Sequence, residues 1–142
     1  MIGQKNSARM VWKGEGLNFH GSVGSGYTFD VSGDADKNGG GAMELLLASA
    51  AGCTAIDVVL ILQKQRQKVT GVEVEAAGVR AAEHPKVYTD VEFVYIVRGE
   101  DIDPQAVERA ISLSEEKYCS ASKMFEQAGV VISSSYRIEF SD

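Results

Sequence analysis

The stretch from Glu44 to Lys68 restricts the fold more than any other. Leu45, Leu46, Leu47, Ala48, Ala50, Ala51, Ile56, Val58, Val59, Leu60, Ile61 and Leu62 leave almost no polar stripe before Gln63. A helix that is apolar nearly all round is expected to be buried. At 1.5 Å per residue these positions reach about 37 Å, enough to cross a small domain. The tail Gln63-Lys64-Gln65-Arg66-Gln67-Lys68 puts cations at the negative end of the helix dipole, a consistent C-terminal signal. Asp57 and the small residues Ala48-Ser49-Ala50-Ala51-Gly52 argue against a lipid-facing span. No uncharged apolar run reaches the roughly 18 to 20 residues a bilayer requires. One layer of sheet covers only one face of such a helix, and a second copy of the chain is the natural cover for the other. An intertwined homodimer is therefore expected.

The flanks read as strands. Ala8 to Trp12 is a candidate strand; Leu17, Phe19, Gly21 and Val23 then alternate with Asn18, His20 and Ser22, and Tyr27, Phe29 and Val31 alternate again. Glycines at 14, 16, 24 and 26 punctuate a three-stranded antiparallel meander. Ser32 to Gly41 is a loop without the GK[ST] ending of a phosphate-binding loop. Beyond the long helix, Val72 to Val79 and Val87 to Arg98 alternate, the latter with Thr89, Val91, Phe93, Tyr95 and Val97 on one face. Asp103 is placed to cap a helix opening at Pro104. That helix runs through Val107, Ala110, Ile111 and Ser114, breaks near Cys119, and restarts with Met124 and Phe125 inward. Ile132 to Phe140 is a last strand. The order βββ–α–ββ–α–β gives an α+β protein, expected as one domain over residues 1–142 with a six-stranded sheet.

The charge balance narrows the partners. Fourteen Lys and Arg against twenty Asp and Glu leave a net charge of −6. Binding nucleic acid through phosphates needs a concentrated basic face, so no nucleic-acid partner is expected. Met1 to Met10 is polar, without the apolar core of a secretory signal, and a cytoplasmic location follows as the default.

Cys53 and Cys119 lie 66 positions apart with no CxxC pair and no His at metal-ligand spacing. In the cytosol two isolated cysteines are either buried small hydrophobes or a redox pair. Cys53 sits mid-helix behind Ala50-Ala51-Gly52, where small residues serve packing and access to a sulfur equally well. Burial in apolar surroundings alone would leave it inert, so it must border a cavity or interface to react. Cys119 stands where a helix restarts, and the positive end of a helix dipole favours a thiolate. His20 and His84 are far apart, and no metal or cofactor is expected. Phe19, Phe93, Tyr95, Phe125 and Tyr136 read as core or dimer contacts, some of them available to line an apolar pocket.

Two motifs carry a family likeness. Met43-Glu44-Leu45-Leu46-Leu47-Ala48 followed by Ala51-Gly52-Cys53-Thr54-Ala55-Ile56-Asp57-Val58-Val59 resembles the first cysteine motif of the osmotically inducible protein C (OsmC) and organic hydroperoxide resistance (Ohr) superfamily. Glu116-Lys117-Tyr118-Cys119-Ser120 resembles the second. The likeness runs from Arg9 to Phe140 and is strongest to the branch typified by YhfA proteins. It implies an OsmC-like fold: antiparallel sheets around long central helices in a homodimer, with active sites at the subunit interface. It also implies a thiol peroxidase without metal or flavin. Cys53 would attack the outer oxygen of a small organic hydroperoxide, and Cys119 would resolve the resulting sulfenic acid as a disulfide that a cellular dithiol reduces.

Thiol ionisation alone is too small a lever. A cysteine of pKa about 8.5 is already roughly a tenth thiolate at pH 7.5, so lowering the pKa gains at most about tenfold, or about 1.4 kcal/mol. Donors must also stabilise the departing alkoxide. The resemblance implies an N-terminal Arg held by a Glu that precedes the cysteine helix; here the candidates are Arg9 and Glu44. The pattern departs in two places. Glu44 stands nine rather than ten positions before Cys53, on the far side of a continuous helix. The turn Gly14-Glu15-Gly16 is followed by no Arg. Asp57, four positions after Cys53, shares its face. These departures feed the alternative reading, a dimeric binding protein for small apolar ligands with little turnover.

Overall fold

The computed structural model describes residues 3–34 and 39–140, so the middle of the Ser32–Gly41 loop lies outside the described residues. The chain divides into two compact units, Met1–Leu46 and Leu47–Asp142.

In the first unit, β1 (Ala8–Trp12), β2 (Asn18–Val23) and β3 (Thr28–Ser32) form the expected antiparallel meander in the order β1-β2-β3. Gly14, Gly16 and Gly26 take positive φ in its two turns, a conformation side chains with a Cβ rarely adopt. The alternation misassigns Leu17, just before β2, and Asn18, its first residue. Leu17 is exposed, whereas Asn18 is buried and accepts from the Ser32 hydroxyl at 2.7 Å. Asn18 and Ser32 are register partners, and a polar pair that satisfies itself can take an inward position.

The long helix α1 (Ala42–Lys64) starts two residues earlier and ends four residues sooner than the apolar pattern suggests. Arg66, at φ 60°, turns the chain out of the helix, and Lys68 already opens the next strand. Burial is also narrower than expected. Ala50, Thr54, Val58 and Leu62, spaced by four, form the buried stripe, while Leu46, Ile56 and Leu60 are 46%, 63% and 50% exposed.

The second unit holds β4 (Lys68–Arg80), β5 (Tyr88–Glu100) and β6 (Val131–Phe140) in the order β4-β5-β6. The six strands thus form two sheets of three, not one of six. β4 and β5 are antiparallel, but β5 and β6 are parallel, which corrects the expectation of purely antiparallel sheets. The chain leaves β5 through α2 (Pro104–Leu113), a π-helical turn (Ser114–Tyr118) and α3 (Ser120–Gln127). Such a helical crossover returns it to the starting end of the sheet, where only parallel pairing is open. Val91, Phe93, Tyr95 and Val97 are buried as their alternation demands, and Ile96 joins them; Thr89 is exposed. Asp103 caps α2 by accepting the Gln105 N–H at 3.0 Å. On α3, Phe125 and Ser122 are buried, but Met124 is 70% exposed rather than inward, because the inward face follows the three-residue step from Ser122 to Phe125.

Candidate thiol site

Cys53 lies in the middle of α1, half-buried, directly before the buried Thr54. Cys119 interrupts the path from the π-helical turn into α3. Its backbone is extended (φ −77°, ψ 104°), and its sulfur caps α3 by accepting the Ser122 N–H at 3.4 Å. Both cysteines are free thiols, and Cys53 lies near enough to Cys119, 66 positions away in sequence, to act on its titration.

The electrostatics at Cys119 differ from the helix-end expectation. Burial pushes its thiol up, donation from Ser122 pulls it down, and the neighbouring Cys53 adds a further upward push. The net direction is up: desolvation outweighs the cap. Cys119 is therefore held as a neutral thiol more firmly than an ordinary cysteine.

A chain of polar side chains lies beside the pair. Thr54 Oγ1 is 2.9 Å from Tyr95 Oη and 2.7 Å from Ser114 Oγ. Ser114 donates to Asp57 Oδ2 at 2.9 Å, and Tyr95 donates to the Glu115 carboxylate, which also accepts from Ser134 at 2.7 Å. With those two protons committed, the single Thr54 hydroxyl proton is shared between the oxygens of Tyr95 and Ser114. Tyr95 is pushed well above its ordinary range, first by burial and then by the Glu115 carboxylate. Asp57, which shares a helix face with Cys53, thus spends one oxygen on Ser114. One turn along α1, Asp57, Leu60, Ile61, Leu113 and Tyr118 line an open groove of about 370 Å³.

Arg9 is an exposed residue of β1, opposite Ser22. Glu44 accepts the Gly41 N–H at 2.9 Å at the start of α1. Because α1 is continuous from Ala42, nine steps of about 100° leave Glu44 half a rotation from Cys53. His20 pairs with Asp30 at 3.0 Å, and His84 precedes Pro85 in a loop. Among the described residues, no three His, Cys, Asp or Glu side chains gather as metal ligands would. Phe93, Tyr95 and Phe125 are core residues, Phe19 is half-buried, and Tyr136 donates to Glu108 at 2.8 Å. Sequence reasoning missed Thr54, Ser114, Glu115 and Ser134 as a set. The available signal was a hydroxyl standing at core spacing on each of two helices: Thr54 between Ala50 and Val58, and Ser114 after Ala110 and Ile111.

An α+β chain with a long apolar helix and a thiol pair joining that helix to a helical crossover defines a recognisable class. The family model for OsmC-like proteins matches residues 33–135, and the chain belongs to that family. It is 44% identical over 131 residues to Protein YhfA of Escherichia coli (strain K12), covering 92% of this chain and 96% of that one. The crystal structure of an OsmC-like protein from Mycoplasma pneumoniae superposes with a TM-score of 0.84 at 10% identity, covering 96% of this chain and 99% of the other. The organic hydroperoxide resistance protein OhrB of Bacillus subtilis does so at 0.60 and 18% identity, covering 96% and 98%. The α1 helix is long and apolar enough to cross a bilayer by composition alone, but in this fold it is a core helix.

Proposed function

We propose that the protein is a cytoplasmic, homodimeric thiol peroxidase for small organic hydroperoxides, and that the nearness of Cys119 to Cys53, with Ser114 bonded both to the Cys119 N–H and to Thr54, carries this reading. Cys53 is the more accessible thiol and acts as the nucleophile. Its sulfur takes the outer oxygen of ROOH, the O–O bond breaks, and the products are ROH and a sulfenic acid at Cys53. Cys119 then attacks that sulfur; a disulfide forms, and its thiol proton leaves with the hydroxyl as water. A cellular dithiol takes the oxidising equivalents and restores both thiols. Arg9 and Glu44 are the proposed guanidinium and its carboxylate, stabilising the departing alkoxide. The exposed Leu46, Ile56 and Leu60 support a second copy of the chain against α1, since apolar rows of this kind are usually covered.

One equivalent of cumene hydroperoxide tests the reading. Both thiols should disappear within each chain, Cys53→Ser should not react, and Cys119→Ser should stop at the sulfenic acid. Arg9→Ala and Glu44→Ala should each slow the first step by ten- to a hundredfold. Survival of both thiols in the wild type would favour the alternative, a binding protein for small apolar ligands. A hollow of about 390 Å³ lined by Met10, Phe19, Phe29, Val31, Ala42 and Leu45 supports that second reading. It predicts a raised Tm with apolar ligands and no thiol loss.

A further inference from the structure

We infer that Ser114, gripped by Thr54 and Asp57, is the positioning residue that sets the Cys119 thiol beside Cys53; the inference deepens the peroxidase reading and rests on the thiol pair it uses. Its backbone and side chain do two different jobs. The Ser114 carbonyl accepts the Cys119 N–H at 2.6 Å, the bond that closes the π-helical turn. In an α-helical turn that carbonyl would accept from residue 118; the extra residue displaces Cys119 by about 100° and 1.5 Å along the helix path. The Ser114 hydroxyl meanwhile binds Thr54 at 2.7 Å and Asp57 at 2.9 Å, both on α1. Thr54 follows Cys53 directly. A short run of bonds therefore ties the residue next to one thiol to the backbone N–H of the other.

This tie is more than packing. Ser114 and Thr54 are completely buried, so their hydroxyls must be paired where they stand. A π-helical turn is a rare form that frequently marks functional sites. Here the turn ends at Cys119 with an extended backbone, so its register sets where the sulfur lies. For the disulfide, the Cα atoms must come within about 7 Å, so the register of this turn bears directly on whether the bond can form. Loosening Ser114 should leave attack by Cys53 on the hydroperoxide intact and impair closure of the disulfide.

The equilibrium between the reduced and disulfide forms in a buffer of reduced and oxidised dithiothreitol measures this without any peroxide. Ser114→Ala and Asp57→Leu should each lower the constant for disulfide formation by about tenfold or more, while Asp57→Asn, whose amide oxygen still accepts, should stay within about threefold of wild type. With cumene hydroperoxide, the Ser114→Ala protein should accumulate dimedone-reactive sulfenic acid at Cys53 while consuming the first equivalent at the wild-type rate. If Ser114→Ala does not fold, the Asp57→Leu and Asp57→Asn pair gives the same comparison. Constants within twofold of wild type in every folded variant would overturn the inference, as would a wild-type chain that forms no internal disulfide in this buffer. A wild-type chain that forms the disulfide yet ignores the hydroperoxide would end the peroxidase reading alone.

Discussion

Cys119 receives the Ser122 N–H at 3.4 Å, which favours a thiolate, and is 2% exposed, which favours a thiol. Because burial wins, the two sulfurs should differ in reactivity. Iodoacetamide at pH 7.5 should alkylate Cys53 well before Cys119, as peptide mass spectrometry would show. The same shift makes stability pH-dependent. Cys119 and Tyr95 both titrate higher in the folded chain, so the unfolded chain loses these protons first as pH rises. Stability is fully present below the unfolded thiol value of about 8.5, falls above it, and falls more steeply beyond about 10, where an unfolded tyrosine ionises. Urea denaturation at pH 7.5, 9 and 10.5 should show this, and Tyr95→Phe should flatten the last part of the slope. At this scale the cysteines were legible because their flanking residues are distinctive. The Thr54–Ser114–Tyr95 contacts were not, because periodicity assigns a residue to a face without naming its partner.

Secondary-structure elements follow local chemistry where the chain is self-sufficient. The Asp103-Pro104 start of α2 is written in two residues, and Asp103→Ala should cost about 1 kcal/mol, read as a lower Tm. Gly99 in β5 is the opposite case, since nothing around it in sequence announces its role. A Cβ there would stand 2.1 Å from the Lys68 carbonyl oxygen and 2.7 Å from Ile102 Cδ1. Backbone cannot yield cheaply, so Gly99→Ala should destabilise the fold by about 2 kcal/mol or more in urea titrations, within the usual range for overpacking. The strands and the α2–α3 break were legible from alternation and capping. The parallel partner of β5 was not, because alternation reports which face is wet and carries no information about strand direction.

For the molecule as a whole, the informative feature was the lack of a polar stripe on α1. Its apolar breadth was plain in the sequence, and the structure shows how little of it a single chain covers: one stripe buried, with Ile56 and Leu60 half or more exposed. Ile56→Glu and Leu60→Glu should convert the expected dimer to monomer in sedimentation velocity, with little loss of monomer folding, since neither side chain belongs to the buried stripe.

The helical crossover between β5 and β6 also sets an order of events during synthesis. β4 and β5 pair across a short connection, whereas β6 must wait until α2, the π-helical turn and α3 have been laid down. Joining distant segments is slower than closing a local hairpin. Cys53 leaves the ribosome long before Cys119 exists, and the two sulfurs meet only when the crossover has docked. On the proposed peroxidase reading, a nascent polypeptide has no internal partner for an oxidised Cys53, and the capacity to cycle between dithiol and disulfide would arrive as one of the last steps of maturation.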